Sequence, residues 1–360
     1  MDTHELVAEL VTLQTISGDP QPQRHAIELC LAVLRRAHGD VHIDADLDGP
    51  HPWAVLTNPV VPGARRIAFC CHVDTVPVGP LSAWSFSPFA AEVHDGRLVG
   101  RGATDMKGGI VAALAAVDHA LQTGVPVALA LTSDEEVGAL GAHRSRWAVE
   151  GLDIGAAVIP EATGNAVHLG HRGALWLRIA TAGIAAHGST PHLGRNAIWA
   201  VSDLIQRARA ELPQSSDHHL GASTWNVGVV AGGTAPNIVP AQAEFVVDHR
   251  TVGNERALLQ WWTDQPEADE VLTLIDLPAV WTSGAEAWVA DLPGAVSSQP
   301  VPYFTDAAAL RPALPDVPIV IWGPGDPATM HAADEAVDLA EIDTAVDHYR
   351  GVIDGWGAVS

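Results

Sequence analysis

The chain has 360 residues, of which 48% are hydrophobic, and this is long and apolar enough for two ordered domains. No apolar stretch approaches the ~20 residues that a membrane helix needs, and the acidic N-terminus lacks the basic start of a signal peptide. The formal net charge of −24 disfavours nucleic acid and anionic membranes as partners. We therefore expect a cytoplasmic protein. An acidic surface generally keeps a protein soluble, although part of the excess carboxylate could instead bind metal ions.

The three cysteines do not form a disulfide framework, because their number is odd and two of them are adjacent. Cys70 and Cys71 end an apolar run, so we expect at least one of them to be a small buried hydrophobe. A thiolate metal ligand is the alternative, but no CxxC spacing supports it.

Helices and apolar strands alternate through the first part of the chain. The apolar period predicts helix over residues 2–37, interrupted at 17–22, and an alanine-rich helix over 109–122. Unbroken apolar runs predict strands at 53–56, 66–71, 127–132 and 154–159. Such strands are typical of a sheet covered by helices on both faces, where ligands collect at the carboxyl ends of the strands.

The pattern changes near residue 170. Strands are predicted at 175–182, 225–230, 243–248 and 271–275, with helices at 196–212 and 254–262, an order typical of a ferredoxin-like domain. After residue 280 the chain is predicted to return to helix, then to a strand at 317–322 and a last helix at 341–355. We therefore expect a discontinuous α/β domain of residues 1–172 and 281–360, with residues 173–280 inserted as a second domain.

Short acidic and histidine motifs follow the predicted strands of the first domain. Two histidines and several carboxylates delivered from strand ends can hold two divalent metal ions, which with one spare carboxylate suffice to hydrolyse an amide. The motifs are His72-Val73-Asp74, Asp105-Met106-Lys107-Gly108-Gly109, Glu135-Glu136, Pro160-Glu161-Ala162 and Met330-His331.

Each motif also has a simpler interpretation. His72 and Asp74 would point the same way in extended chain, so Asp74 could orient a metal-binding His72, or both could be polar residues at a loop start. Asp105 could bridge two metals or only cap a helix, whereas a phosphate loop is excluded by the glycine spacing. Glu135 and Glu136 fit a general base beside a ligand, or a solvated acidic turn.

Together these motifs resemble the M20 metallopeptidases, the group that includes acetylornithine deacetylase, succinyl-diaminopimelate desuccinylase, aminoacylase-1 and carboxypeptidase G2. The resemblance covers essentially the whole chain. It is carried by CHVDTVP (71–77), WSFSPFAAEVHDGRLVGRGATDMKGG (84–109), SDEEVGALGA (133–142), PEAT (160–163), AHGSTPHLGRNAI (186–198), GGTAPNIVP (232–240) and GPGDPATMHAADE (323–335).

The resemblance implies a zinc-peptidase-like catalytic domain with a mostly parallel sheet and an inserted ferredoxin-like lid and dimerisation domain. It also implies that Asp105 bridges two zinc ions, that His72 and Glu161 complete one site, and that Glu136 and His331 complete the other. Glu135 would be the general base and Asp74 would orient His72. The peptide bond after Asp105 is often cis in this family.

In the inserted domain, the resemblance implies that His187 stabilises the tetrahedral oxyanion, often in the partner's site of a homodimer. Arg250 and Asn237 resemble contacts to the substrate carboxylate and backbone. Arg250 could equally be an ordinary surface ion-pair partner, and a lone His187 could be a surface residue. The segment 302–307 lacks the glycines that many members carry before the last strand, so the side-chain specificity stays open.

These observations predict a dinuclear metal amidohydrolase that removes the acyl group from an N-acyl amino acid. Zinc is the expected metal, and cobalt or manganese would also suit these ligands. The nearest alternative is a dipeptidase or carboxypeptidase that acts on small peptides with the same metals. A non-catalytic binding protein on this fold would have lost the base or a ligand, yet all six positions are filled.

Overall fold

A computed structural model describes residues 2–59 and 63–359. The chain divides into two compact units, one of Met1–Gly170 with Trp281–Ser360 and the other of His171–Val280. The predicted outer ends of the first domain, residues 1 and 360, lie outside the described residues. Among the described helices, none is both long and apolar enough to cross a bilayer.

The helices of the first unit begin where the sequence supplies capping groups. The second helix starts at Pro20, and Asp19 caps it by accepting a hydrogen bond from the backbone N–H of Gln21. The observed break between the first two helices covers residues 13–19, so it begins and ends earlier than the predicted interruption at 17–22. The helices are Thr3–Thr12, Pro20–Ala37, Gly108–Thr123, Leu140–Glu150, Ala287–Ala290, Asp306–Leu310 and Leu339–Val359, with single turns at Leu81–Ala83, Ala103–Lys107, Arg311–Ala313 and Pro327–Thr329.

The main sheet of this unit is mixed, with four parallel strands at its centre, as the sequence predicts. The strands at 127–132 and 154–159 are buried throughout, which is why their sequences are continuously apolar. Across the sheet the order is His42–Asp46, Trp53–Thr57, Val127–Thr132, Arg66–His72, Ile154–Ile159, Ile319–Ile321, Val167–His168 and Val296–Ser297.

Parallel pairing brings the carboxyl ends of the central strands to one edge of the sheet. In register, Cys71 lies beside Leu131, His72 beside Thr132 and Ile321 beside Ile159. The residues that follow these strands therefore emerge close together. The three cysteines are all buried, which confirms the prediction for the 70–71 pair.

Some short elements differ from the prediction. A small antiparallel sheet of Glu92–His94, Arg97–Val99 and Ala336–Asp338 was not predicted, because three-residue strands carry too little periodicity. The predicted return to helix after residue 280 is wrong over most of 282–305. This segment holds prolines at 293, 300 and 302, and its only helix is Ala287–Ala290. Two-residue strands, Gly170–His171 and Val280–Trp281, stand at the boundary of the two units.

The second unit has the predicted β-α-β-β-α-β order. Its antiparallel sheet is arranged Thr224–Gly232, Gln242–Thr251, Gly173–Ala182 and Glu270–Leu277, which is the strand order of a ferredoxin-like sandwich. Alternate residues of these strands pack with Trp262 and Leu204 into a separate core. The remaining elements are the helices Ala197–Glu211 and Glu255–Thr263, the turn Pro191–Leu193, and the hairpin of Ser216–Asp217 and Gly221–Ala222.

Two glycines of the first unit enclose the backbone that follows the Ile154–Ile159 strand. A Cβ placed on Gly109 would lie 1.9 Å from Pro160 O, and one placed on Gly323 would lie 2.4 Å from the same atom. Since Pro160 O is a backbone atom, it cannot move aside as a side chain would. The two glycines thus fix the position from which Glu161 projects.

We predict opposite effects for two helical glycine substitutions. Gly109→Ala should lower the free energy of unfolding by about 1–3 kcal/mol or more, because the methyl group overlaps Pro160. Gly355→Ala, at an exposed helical position with nothing within 4 Å, should raise it by ~0.5–1 kcal/mol. Urea-induced unfolding measures both. Wild-type stability of Gly109→Ala would show that this close approach is not a constraint.

Candidate active site

The motif residues of the first unit meet at the carboxyl edge of the central strands. His72 is the last residue of its strand, Glu135 and Glu136 lie just beyond the Val127–Thr132 strand, and Glu161 lies two residues beyond the Ile154–Ile159 strand. Asp105 lies in the kinked turn that precedes the Gly108–Thr123 helix. His331 follows the turn at 327–329 with a positive φ of 63°, a conformation that histidine adopts more readily than most residues.

Three buried side chains form what we call the inner group: His72, Asp105 and Glu161. His72 Nε2 lies 3.2 Å from Asp105 Oδ1 and 3.3 Å from Glu161 Oε1. Burial disfavours a charged imidazole, yet Glu161 and Asp105 raise the pKa of His72 well above its ordinary value. A histidine nitrogen and two carboxylate oxygens at this spacing match the ligands of a divalent metal.

A second set of side chains, the outer group, consists of Asp105, Glu136 and His331. His331 Nε2 lies 3.0 Å from Asp105 Oδ2 and 3.1 Å from Glu136 Oε1. These two contacts raise the pKa of His331 to about 10. Burial and the Asp105 carboxylate raise the pKa of Glu136 to about 7. The outer group is more accessible than the inner one, because half of the His331 side chain is exposed.

Asp105 belongs to both groups and turns one oxygen to each. Its Oδ1 faces His72 and its Oδ2 faces His331, which is the geometry of a bridging carboxylate. Burial alone would raise its pKa, but hydrogen bonds from His331 and His72 lower it below the ordinary value. The side chain makes no capping bond to the helix, so the N-cap interpretation does not hold. The Asp105–Met106 peptide bond is cis.

Asp74 joins His72 to the acidic loop. His72 Nδ1 lies 3.1 Å from the backbone oxygen of Asp74 and 3.4 Å from its Oδ1. Asp74 Oδ1 also accepts a 2.9 Å hydrogen bond from the Glu135 N–H, and Oδ2 accepts bonds from Ser17 Oγ and the Glu136 N–H. Asp74 thus supports the His72 ring and also holds the backbone of both glutamates.

The third acid of the loop, Asp134, points away from the ligand groups. Its Oδ1 accepts hydrogen bonds from Gly18 N and Gln23 Nε2, and its Oδ2 lies 2.7 Å from His51 Nδ1. In the sequence, Asp134 is the first of three adjacent acidic residues. Its partners lie 83 to 116 residues away along the chain, so no local pattern could reveal its direction.

Glu135 is buried beside the two groups and belongs to neither. Burial raises the pKa of Glu135 well above its ordinary value, and Glu136 and Glu161 raise it further. A carboxylate whose pKa is raised holds a proton more readily and can both accept and return one. Its position and environment suit a general base.

The site fits cations better than it fits solvent alone. Glu135 Oε1 and Glu161 Oε2 are buried without any hydrogen-bond partner among the described residues. Burying such oxygens is costly unless a positive charge compensates them. Neighbouring carboxylates add further negative charge to the same place. The donor set of imidazole nitrogens and carboxylate oxygens suits divalent ions such as zinc, cobalt or manganese.

Sequence reasoning assigned no role to two residues at the same edge, the buried Asp306 and the partly buried Tyr303. Asp306 begins the Asp306–Leu310 helix and hydrogen bonds with Thr132 Oγ1, while burial raises the pKa of Asp306 to about 7. The Tyr303 hydroxyl donates a 2.5 Å hydrogen bond to Ala162 O, next to Glu161. Both lie in the segment at 302–307 that departs from the family pattern, and that departure was the available signal.

In the second unit the structure brings His187 and Asn237 together. Residue His187 pairs with Ile238 in an antiparallel bridge, and the Gly188 N–H donates a 2.7 Å hydrogen bond to Asn237 O. Both His187 and Asn237 are exposed. His187 Nδ1 accepts a 3.1 Å hydrogen bond from the Ser189 N–H and lies 2.7 Å from Ser189 Oγ. In a neutral ring the proton is therefore on Nε2.

Arg250 lies in the strand Gln242–Thr251 of the second unit and is half-buried. Its Nε and Nη2 lie 3.2 and 3.1 Å from Oδ2 of Asp248, two residues earlier on the same face. Arg250 therefore does form an ion pair, as one of its two interpretations expects. The pair also fixes the orientation of the guanidinium group.

Comparison with known proteins agrees with this geometry. The sequence profile of Peptidase family M20/M25/M40 matches residues 68–355. The succinyl-diaminopimelate desuccinylase of Ruegeria pomeroyi is 32% identical to this chain over 308 residues, which cover 78% of this chain and 80% of that protein.

Solved structures share the fold. An M20 family metallo-carboxypeptidase from Sulfolobus solfataricus superposes with a TM-score of 0.82 at 18% identity, covering 99% of this chain and 100% of that one. A dinuclear metal binding peptidase of the M20 family from Bacillus subtilis superposes with a TM-score of 0.67 at 15% identity, covering 98% and 96%. The chain therefore belongs to peptidase family M20/M25/M40.

Proposed function

We propose that this protein is a dinuclear metal hydrolase that removes the acyl group from an N-acyl amino acid. The observation that carries the proposal is the single carboxylate, Asp105, shared by two ligand groups, with the buried Glu135 beside them. The 32% identity to a succinyl-diaminopimelate desuccinylase supports an acyl amino acid as substrate. We also propose zinc as the metal and the cytoplasm as the location, where three free cysteines would stay reduced.

The inner group would hold one ion and the outer group the other, with Asp105 shared between them. Two such ions, when bound, activate a water molecule as the nucleophile and polarise the amide carbonyl. The chain supplies the rest of the chemistry. Asp74 contacts Nδ1 of His72 and so keeps the ring in place. The other ring nitrogen, Nε2, then faces the carboxylates of Asp105 and Glu161.

Glu135 would move the protons of the reaction. Its raised pKa lets a carboxylate oxygen accept a proton from the attacking water and then donate it to the leaving amine. The backbone of Glu135 is held by Asp74 Oδ1 at 2.9 Å, so the carboxylate is positioned without itself being a ligand. Glu135 would thus transfer protons while Glu136 binds metal, and these two roles account for the adjacent acidic pair.

His187 would donate from Nε2 to the oxyanion of the tetrahedral intermediate. The Ser189 N–H occupies Nδ1, so the neutral ring presents its proton at Nε2, as an oxyanion donor must. Asn237, whose backbone is paired with that of Gly188, and Arg250 would contact the substrate backbone and carboxylate. The Asp248 carboxylate holds the Arg250 guanidinium in one orientation for such a contact.

We propose that the second unit also forms a homodimer. The strand Thr224–Gly232 lies at the edge of its sheet and exposes Val229 and Val230, and the helix Ala197–Glu211 exposes Ile198 and Trp199, the last at 66%. A Cβ on Gly232 would lie 3.2 Å from Ile198 Cγ1, so the helix adjoins the end of this strand. An apolar patch beside an unpaired strand edge supports a self-association surface.

A hydrolysis screen tests the proposed function. N-succinyl and N-acetyl amino acids and dipeptides should be assayed with added zinc or cobalt and after removal of metal by a chelator. We expect acyl amino acids to be hydrolysed faster than dipeptides, no turnover after chelation, and recovery on adding zinc. Faster cleavage of dipeptides would favour a dipeptidase, and full turnover by metal-free protein would contradict the dinuclear site.

We predict that Glu135→Gln lowers kcat by at least ~10²–10⁴-fold while the chain still binds two metal ions. The substitution keeps the size of the side chain and removes its ability to accept a proton. The metal content of each variant can be measured by inductively coupled plasma mass spectrometry. The exposed Glu92→Gln serves as a control and should leave both values unchanged. Loss of metal from Glu135→Gln would make Glu135 a ligand.

We predict that His187→Ala lowers kcat by ~10²–10³-fold at unchanged metal content, the loss expected for one oxyanion donor. Mixing inactive His187→Ala chains with inactive Glu135→Gln chains tests whether His187 acts in the partner's site. In that case one site of each mixed dimer keeps both groups, and activity returns. If dimers exchange subunits and stay inactive, His187 does not act across the dimer; a monomer by light scattering removes the proposal.

A further inference from the structure

The carboxylate of Glu335 lies behind the ligand groups and is fully engaged. The residue is 1% exposed. Its Oε1 accepts hydrogen bonds from the backbone N–H of Thr104 at 3.0 Å and of Asp105 at 3.1 Å. Its Oε2 accepts a 2.6 Å bond from Arg101 Nη1. Glu335 therefore holds the backbone of the bridging ligand directly.

Arg101 extends this connection to the other loop. Its Nη2 donates a 3.3 Å hydrogen bond to the backbone oxygen of His331, while Nη1 is bound to Glu335. The guanidinium carbon lies 5.1 Å from the centre of the Trp84 ring, which covers its face. One buried ion pair thus connects the backbone of Asp105 to the backbone of His331, two ligands that are 226 residues apart in sequence.

We propose that Glu335, acting through Arg101, is a positioning residue that sets the geometry of the outer group and so the affinity of its metal ion. The inference rests on the proposed metal site. The inner group is entirely buried, and its His72 ends one strand of the sheet while its Glu161 follows another strand by two residues. The outer group instead depends on His331, which is exposed and lies in a loop, so it needs the additional tether.

Other contacts keep the two segments associated if the ion pair is lost. Gly100 N donates to the Glu335 backbone oxygen at 2.8 Å, and Thr104 Oγ1 donates to Ala336 O at 2.7 Å. The strand Ala336–Asp338 also pairs with Arg97–Val99. Substitution of the Glu335 side chain should therefore leave the fold in place.

Glu335→Gln distinguishes the two connections made by Glu335, one to the backbone of Asp105 and one through Arg101 to the backbone of His331. With its amide oxygen at the position of Oε1, the glutamine still accepts from the N–H groups of Thr104 and Asp105. Its amide nitrogen then faces Arg101 Nη1, and two donors repel each other. The flipped amide would instead oppose two backbone N–H groups, which is worse. The substitution therefore keeps the connection to Asp105 and breaks the connection to His331.

Calorimetric titration of metal-free protein with zinc tests the proposal without relying on activity. Wild-type protein should bind two ions, and the binding event that is missing in His331→Ala identifies the outer position. In Glu335→Gln the outer affinity should fall ~10–100-fold, as is typical of lost support behind a ligand, while the inner affinity changes less than about threefold.

Two further variants keep the test decisive. Arg101→Lys retains the charge but cannot contact Glu335 and His331 together, so it should show the same selective loss and replaces Glu335→Gln if that variant does not fold. Glu267→Gln breaks an arginine–carboxylate pair of the second unit and should leave both affinities unchanged. The proposal would be overturned if the Glu335 and Arg101 variants kept both zinc affinities unchanged, or if both affinities fell equally. Wild-type protein that binds no zinc would instead overturn the proposed function itself.

Discussion

The structure depends on the burial of several carboxylates at one edge of a sheet. Asp105, Glu135 and Glu161 are each less than 5% exposed, and Glu135 and Glu161 each keep an oxygen without a hydrogen-bond partner among the described residues. Mutual repulsion and lost hydration make this arrangement unfavourable unless cations compensate it. A parallel sheet can impose it, because strand pairing fixes where the carboxyl ends of four strands emerge.

Around these carboxylates, a second set of polar groups holds backbone rather than metal. Asp74 accepts from the N–H groups of Glu135 and Glu136, and Asp134 binds the segment near residue 18. Glu335 performs the same task for Asp105. The backbone of Asp105 and that of Glu136 are therefore held in place, so these side chains need little ordering to reach an ion. Such support generally determines how well a metal site is preorganised.

The sequence was sufficient to predict the strands in which the pattern of apolar residues is clear. The strands at 127–132 and 154–159 were predicted because their apolar runs are unbroken, and the antiparallel strands of the second unit because their residues alternate. Ligand candidates at strand ends could be named for the same reason. Short strands such as Glu92–His94 were not predicted, because three residues show no measurable period. The predicted helix after residue 280 was wrong because this part of the chain is rich in proline.

Contacts between distant segments could not be predicted from one sequence. Arg101 and Glu335 are 234 residues apart, and nothing local shows that one side chain meets the other. The direction of Asp134, which turns away from its two acidic neighbours, depends likewise on Gln23 and His51. Family resemblance supplied roles for His187, Asn237 and Arg250, and these roles remain proposals.

Anomalous diffraction from crystals grown with zinc tests the central claim most directly. The account predicts two zinc peaks in each chain, one contacted by His72, Asp105 and Glu161 and the other by Asp105, Glu136 and His331. Glu135 should contact neither ion. A single peak, no peak, or a peak ligated by Glu135 would contradict it.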